Sequence, residues 1–362
     1  MTLLENQPTT EVYSDPHPLE VGEIKEISSE MVTDKYGRSY TRRDVEVGDE
    51  HDPFDYEILN GVGGVFEQYL RDNPHLQAPT LEELESEKGI KNEAADWLYP
   101  IGSAMRKWRK LFPRAKALYP LQKPKDGGRV IEGGDIDERT QYLFTNMVDG
   151  IGLRSRARIY ADRLVSIAHK SPQEELRIVS LGSGAGVPNL DATQRVESEL
   201  QKSIQWELFD MDPEALAFAN ELAQEAGPLR STFDYGPTKR DEKGDESYTG
   251  RLYQRAFQLE NESVDVIDAL GLWEYLDKDQ STAFLKRLYE KLKPGGTMIV
   301  SNMLPDRPQL EFNQRAVGWP GLYLRSDQDL IDIVEAAGID TELVTITHSA
   351  DGVYAVMEIK KP

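Results

Sequence analysis

The stretch that decides the fold is Arg177-Ile-Val-Ser-Leu-Gly-Ser-Gly-Ala-Gly186. A short apolar run leads straight into Gly182, Gly184 and Gly186, as a buried strand does when it ends in a sharp turn. Glycine is needed where a chain must reverse tightly and let a ligand touch its backbone, because no Cβ stands in the way. A G-x-G-x-G turn can also serve packing alone, so the neighbouring segments must carry the reading. The next apolar run, Trp206-Glu-Leu-Phe-Asp210, ends in a carboxylate 24 residues after Gly186 and is followed by Met211-Asp212-Pro213 and a helical stretch. A carboxylate at the tip of the second strand can accept both hydroxyls of a ribose. Asp212, directly before a proline at a first helical position, reads instead as a helix N-cap. A dinucleotide turn, G-x-G-x-x-G, would place its third glycine where this chain has Val187. The helix start that grips a diphosphate is therefore missing, and the turn suits an adenosyl ligand with a thioether and an amino acid tail.

Working outward, residues 176–182, 204–210, 264–270, 296–303, 342–348 and 353–359 suit buried strands, and 215–227, 281–293 and 329–338 suit amphipathic helices. Alternation of this kind predicts an α/β fold, a three-layer sandwich around a mostly parallel sheet. The last two runs are separated only by a turn near Asp351-Gly352, so the sheet is expected to end in an antiparallel hairpin.

From about residue 177 to 359 the chain resembles a class I S-adenosylmethionine-dependent methyltransferase, a Rossmann-like fold. Besides the glycine turn and Asp210, Ser263-Val-Asp-Val-Ile-Asp-Ala-Leu-Gly-Leu-Trp-Glu-Tyr-Leu276 resembles that family's fourth strand and the segment after it. Leu288-Tyr-Glu-Lys-Leu-Lys-Pro-Gly-Gly296 and Thr297-Met-Ile-Val-Ser301 resemble its L-x-P-G-G turn and fifth strand. The resemblance implies S-adenosyl-L-methionine as cofactor, held by Gly182, Ser183, Gly184, Gly186, Asp210, Met211 and Leu270. Asp234 is the candidate for adenine, with Phe257-Gln258 as the alternative. The family usually has an acid two residues before the first glycine. Here that residue is Ser180, so its contact to the loop or to the methionine amino group must come from elsewhere. A narrower resemblance, through Gly271-Leu-Trp-Glu-Tyr-Leu276 and Gly318-Trp-Pro-Gly-Leu-Tyr-Leu-Arg325, is to methyltransferases of bacterial 3-hydroxy fatty acid methyl ester biosynthesis. Glu274 stands where that group usually has Asp.

Methyl transfer from a sulfonium is an in-line displacement in which the protein mainly aligns the acceptor and excludes water. A carboxylate acceptor needs no base, whereas a hydroxyl can use one. Glu274 and Tyr275 after the fourth strand, and His348 at the end of a later one, are the catalytic candidates. Arg154, Arg156 and Arg158 precede the glycine turn, and an arginine there could clamp the methionine carboxylate. Arg154 is the candidate; it shares a helix face with Arg158, while Arg156 points elsewhere. No metal site is expected.

The flanking chain reads differently. Residues 1–50 hold twelve acidic and five basic residues with no sustained apolar period, and are expected to form a flexible acidic leader. Residues 51–130 read as a helical N-terminal region, with Phe54, Ile58, Val62 and Phe66 on one face and a helix start at Thr80, Glu82 and Glu83. Further along come Trp97, Leu98 and Ile101. Residues 127–135, rich in glycine, read as a linker. Residues 131–362 form the expected methyltransferase domain, its first part (131–170) as lid helices interrupted near Gly150 and Gly152 and its catalytic core over 171–362.

The 362 residues carry 64 acidic and 42 basic side chains, a net charge of −22, so the molecule as a whole repels nucleic acid and anionic membranes. Eight Lys and Arg between Arg106 and Lys125, interleaved with Trp108, Phe112 and Tyr119, keep open an RNA methyltransferase that docks through this segment. The preferred expectation is pairing of that segment with Glu46, Asp49 and Glu50. Cysteine is absent, which removes disulfides, thiolate metal sites and a cysteine nucleophile. With no long apolar run, the expectation is a cytoplasmic enzyme without membrane contact, methylating a small molecule at oxygen. A non-catalytic, cofactor-binding module is the other alternative.

Overall fold

The computed structural model describes residues 19–77, 102–112, 114–240, 243–244, 246–251, 253–319 and 322–362. The helix start at Thr80, the Trp97 to Ile101 stretch and Pro320-Gly321 lie outside the described residues.

A nine-stranded sheet organises the molecule, in the order β1-β2-β10-β11-β9-β8-β3-β4-β5. Its strands are β1 (Ile24–Thr33), β2 (Ser39–Val47), β3 (Glu175–Leu181), β4 (Ser203–Phe209), β5 (Thr232–Asp234), β8 (Val264–Ala269), β9 (Leu292–Met303), β10 (Val344–Ser349) and β11 (Tyr354–Lys360). Two short strands, β6 (Thr238–Arg240) and β7 (Glu246–Tyr248), pair apart from it. The pairs β3/β4, β3/β8, β4/β5, β8/β9 and β2/β10 are parallel; β1/β2, β10/β11 and β9/β11 are antiparallel. The strand runs expected from the sequence are all present, including the final antiparallel pair.

Helices cover both faces, which is why the central strands are near-continuous apolar runs. Neighbouring residues divide between the two layers. Ile178, Val266, Trp206 and Ile299 pack under α4 (Val148–Lys170), α5 (Val187–Leu200) and α6 (Pro213–Glu225). Val179, Ile267, Met298 and Val300 pack under α7 (Lys278–Tyr289) and α8 (Asp327–Ala336). Asp212 caps α6 by accepting from the Glu214 and Ala215 amides, with Pro213 at the first helical position. Asp277 and Gln280 form a capping box on α7.

The N-terminal part departs from its reading as a flexible leader. Residues 24–47 form the β1/β2 hairpin, and β2 extends the sheet by pairing parallel to β10, Thr41 opposite Thr345. Composition misled because few apolar residues are needed: Tyr40 and Val45 are the fully buried ones, and charges do the rest. Arg38 pairs with Asp34, Asp332 and Glu335, which ties the hairpin to α8.

The helical region also needs correction. Helices α1 (Pro53–Asn60) and α2 (Val65–Asp72) are separated at Gly61–Gly64, where Gly63 has φ +76°. That break rotates the expected stripe, so Phe54, Ile58 and Val62 are exposed while Phe66 is buried against Phe312. Of the glycines in 127–135, Gly127 and Gly128 are packed parts of the fold, a Cβ on Gly128 meeting the Gly134 carbonyl oxygen at 2.4 Å, while Gly133 and Gly134 are exposed at positive φ. Helix α3 (Glu138–Asn146) ends at Met147, and Gly150 and Gly152 lie inside α4 instead of breaking it. A Cβ on Gly152 would lie 2.6 Å from Val353, so that glycine serves close helix–strand packing.

Candidate functional site

Strand β3 runs into the glycine turn at the carboxyl edge of the sheet, beside the point where the strand order reverses between β3 and β8. Gly182, Gly184 and Gly186 all have positive φ, between +55° and +68°. At Gly182 a side chain is doubly disfavoured, since a Cβ would also sit 2.9 Å from that of Leu272. The turn is fastened to β4 by the Gly182 amide donating to the Phe209 carbonyl at 2.7 Å.

Asp210, directly after β4, accepts from the Gly184 amide at 2.7 Å and from the Asp212 amide at 2.8 Å. Burial raises its pKa, and these backbone donors oppose the rise. Each oxygen keeps a further lone pair for a ligand hydroxyl. Turn and carboxylate wall a crevice of about 690 Å³ together with Ser183, Met211, Leu270 and Tyr275. A roof over it comes from Arg114, Ala115, Leu118 and Gln122, in the segment leading to the short helix Tyr119–Gln122. The buried Ser183 Oγ and Asn189 Nδ2 on this wall have no hydrogen-bond partner.

Glu274 is not on the crevice wall; it lines an adjoining cavity of about 40 Å³ that shares Leu118, Arg156, Gly271, Tyr275 and Trp319 with the crevice. It is buried, accepts from the Met303 amide at 3.3 Å and stands 3.9 Å from Arg156. Burial raises its pKa against the lowering charge of Arg156. The Tyr275 hydroxyl accepts from Trp319 Nε1 at 2.9 Å.

Three expected site residues lie elsewhere. Arg154 is held away from the crevice by Asp49, at 2.6 Å and 2.8 Å, and by the carbonyls of Leu121, Phe144 and Thr145. The arginine that does reach the crevice is Arg156, which donates to the Leu270 carbonyl at 2.7 Å and lies over the Tyr354 ring; its buried Nε has no partner. His348 is on β10, bonded to Asp327 at 2.8 Å, with three strands between β10 and β3. Asp234 takes Arg251 and the Gly236 amide and is not part of the crevice wall. Sequence reasoning gave no role to Asp268, whose carboxylate on the wall accepts from Ser180 Oγ at 2.7 Å and Tyr160 Oη at 2.6 Å. The signal for it was an acid within a strand run: β8 carries Asp265 as well, but Asp265 takes Lys293, while Asp268 lies between Ile267 and Ala269 toward the buried end of the strand.

Among the described residues, Lys110, Arg114, Lys116 and Lys123 of the basic segment take partners other than Glu46, Asp49 and Glu50. Lys110 meets Glu132, Arg114 and Lys116 meet Glu214, and Lys123 meets Asp191. Asp49 and Glu50 instead grip Arg154 and Arg158. Trp108 and Tyr119 are buried and present no stacking face. Among the described residues no helix is long and apolar enough to cross a membrane.

No protein-family model and no curated protein matches the chain. Solved structures do. A possible exported protein from Bordetella parapertussis is 18% identical, covers 75% of this chain and 93% of its own, with a TM-score of 0.53. The magnesium protoporphyrin IX methyltransferase of Synechocystis with bound S-adenosylmethionine is 14% identical, over 76% of this chain and 100% of its own, TM-score 0.41. An S-adenosylmethionine-dependent methyltransferase of Leishmania major is 14% identical, over 82% and 91%, TM-score 0.41. At such identities the likeness concerns the fold, and function has to be argued from the site.

Proposed function

We propose that the protein is an S-adenosylmethionine-dependent methyltransferase that acts on an oxygen of a small molecule. The observation that carries this reading is the union of the glycine turn and the second-strand carboxylate, Gly184 on Asp210, at the mouth of an open crevice. The wall fits the donor: glycines admit close approach, Asp210 retains acceptor capacity for ribose hydroxyls, and Ser183 and Asn189 hold unused polar atoms. Met211 and Leu270 line the same space. Arg156 takes the part expected of Arg154, a cation for the donor's carboxylate.

The donor supplies an electrophilic methyl on a sulfonium. The chain supplies alignment, through the roof at Ala115 and Leu118 and the Tyr275–Trp319 pair that lines both the crevice and the smaller cavity. Glu274, with its raised pKa, is placed to take the proton of a hydroxyl acceptor as the oxygen–methyl bond forms and the sulfur keeps the electron pair of the bond that breaks. The smaller cavity sets Leu121, Met147, Leu153 and Val317 beside Asp149, Arg156, Glu274 and Asn313, a mixed lining that suits the oxygen-bearing end of an acyl-like acceptor such as a hydroxy fatty acid.

Calorimetry with S-adenosylmethionine, followed by label transfer to hydroxylated and carboxylated small molecules and to RNA, tests this. Binding that Asp210→Ala abolishes, with label on a small molecule, supports the proposal. No binding to the native protein overturns it; binding without transfer to any acceptor favours a cofactor-holding module, and transfer to RNA favours a nucleic-acid enzyme.

A further inference from the structure

Asp268 is 2% exposed, yet among the described residues it has no cationic partner. Its two hydrogen-bond donors, Tyr160 from α4 and Ser180 from β3, are neutral. Asn189 of α5 lines the wall beside it with an unpartnered amide nitrogen. The charged groups elsewhere on this wall are Arg156, Asp210, Asp212, Glu214 and Arg114, and none of them is bonded to Asp268. Burial consequently pushes the Asp268 carboxyl up to about 7, although both hydroxyls pull the other way. A carboxylate so placed has satisfied dipoles and an unsatisfied charge, and it faces the crevice.

Ser180 and Asp268 are direct register partners across the parallel β3/β8 pair. A carboxylate on either strand therefore enters the same space at the foot of the glycine turn. We propose that Asp268 anchors the ammonium end of the methyl donor, the acid having been carried one strand across from position 180. This rests on the methyl-donor reading above. The cation completes what the protein leaves open, so Asp268 is ionised in the complex, and donor binding below pH 7 expels a proton to solvent.

The test is calorimetry with S-adenosylmethionine and with methylthioadenosine, which keeps the adenosine and thioether but lacks the amino acid. Native protein that fails to bind S-adenosylmethionine overturns the underlying reading. If the native protein binds, Asp268→Asn is expected to weaken S-adenosylmethionine by ~10- to 100-fold, as for loss of a charged hydrogen bond, and to leave methylthioadenosine unchanged. Equal affinity of native and variant for S-adenosylmethionine, or equal loss for both ligands, overturns the inference. At pH 6, titrations in buffers of different ionisation heat are expected to show proton release by the native protein and none by the variant. The strand exchange Ser180→Asp with Asp268→Ser should restore S-adenosylmethionine binding; failure of that fully folded double variant to bind better than Asp268→Asn counts against the anchor. Stability separates the role from a structural one. The folded-state pKa is raised, so between about pH 4 and 7 this group's contribution to stability falls as pH rises. Asp268→Asn should therefore melt no lower than the native protein at pH 8 without ligand, and a lower melting point would assign Asp268 to the fold instead of the donor.

Discussion

The two ends of the sheet are held by different physics. Around β3, β4 and β8 the strands are covered on both faces, and Ile178, Val179, Trp206, Val266 and Ile267 are wholly buried. At the other end β2 contributes Tyr40 and Val45 to the core, and Arg38, Arg42 and Arg43 of the hairpin are tied by ion pairs to Asp332, Asp327 and Glu26. Apolar burial responds little to pH and is not weakened by screening salt; an edge held by charges is sensitive to both. Substitutions at the two ends should consequently fail in different ways.

The largest effect is expected where the N-terminal segment meets α4. The Asp49 side chain is inaccessible and takes both Arg154 and Arg158. Asp49→Ala leaves the buried Arg154 with Glu50, at 3.4 Å, as its remaining counter-charge, and urea unfolding should show a loss of ~3 kcal/mol. Burial alone would raise the Asp49 pKa, but the hydrogen bonds of Arg154 and His51 and the charges of Arg154 and Arg158 hold it far below the usual carboxylate range. With the folded pKa depressed, its stabilisation is complete above the unfolded value of about 4 and is lost as pH falls below it. Native protein should thus lose stability in that acid window, and the alanine variant should lose less.

Next comes the crevice. Gly182→Ala forces a side chain into positive φ and against Leu272. A stability loss of about 1–3 kcal/mol is expected, together with loss of S-adenosylmethionine binding in calorimetry. Retention of binding would show that the turn does not need to be bare. Arg38→Ala, at the charged end, should cost only about 1 kcal/mol in urea, with the difference shrinking at high salt and donor binding unchanged.

The contrast between the ends also explains what was legible. Strands buried on both faces advertise themselves as apolar runs, and the glycine turn and Asp210 came with them, because a turn that must meet a ligand is spelled in residue types. The hairpin did not, since Arg38 finds Asp332 and Glu335 nearly three hundred residues away and such partners have no local signature. Helical spacing separated Arg156 from Arg154 and Arg158, but only the packing of α4 says that the lone arginine faces the crevice. The link between Ser180 and Asp268 depends on the register of two strands, which no single stretch of chain encodes.

The smallest expected effect probes that same limit. Phe54, Ile58, Val62 and Phe66 follow one helical period, and yet Val62 is fully solvent-exposed while Phe66 is buried. Periodicity assumes an unbroken helix, and the chain between Gly61 and Gly64 is not helical. A continuous helix would bury Val62 beside Phe66, and Val62→Ser would then cost well over 1 kcal/mol in lost burial. With the break, the same substitution removes an apolar side chain from water contact only, and unfolding free energies in urea should agree to within ~0.5 kcal/mol. A larger loss would mean that the two helices join in solution and that the apolar surface of Phe54, Ile58 and Val62 is covered there.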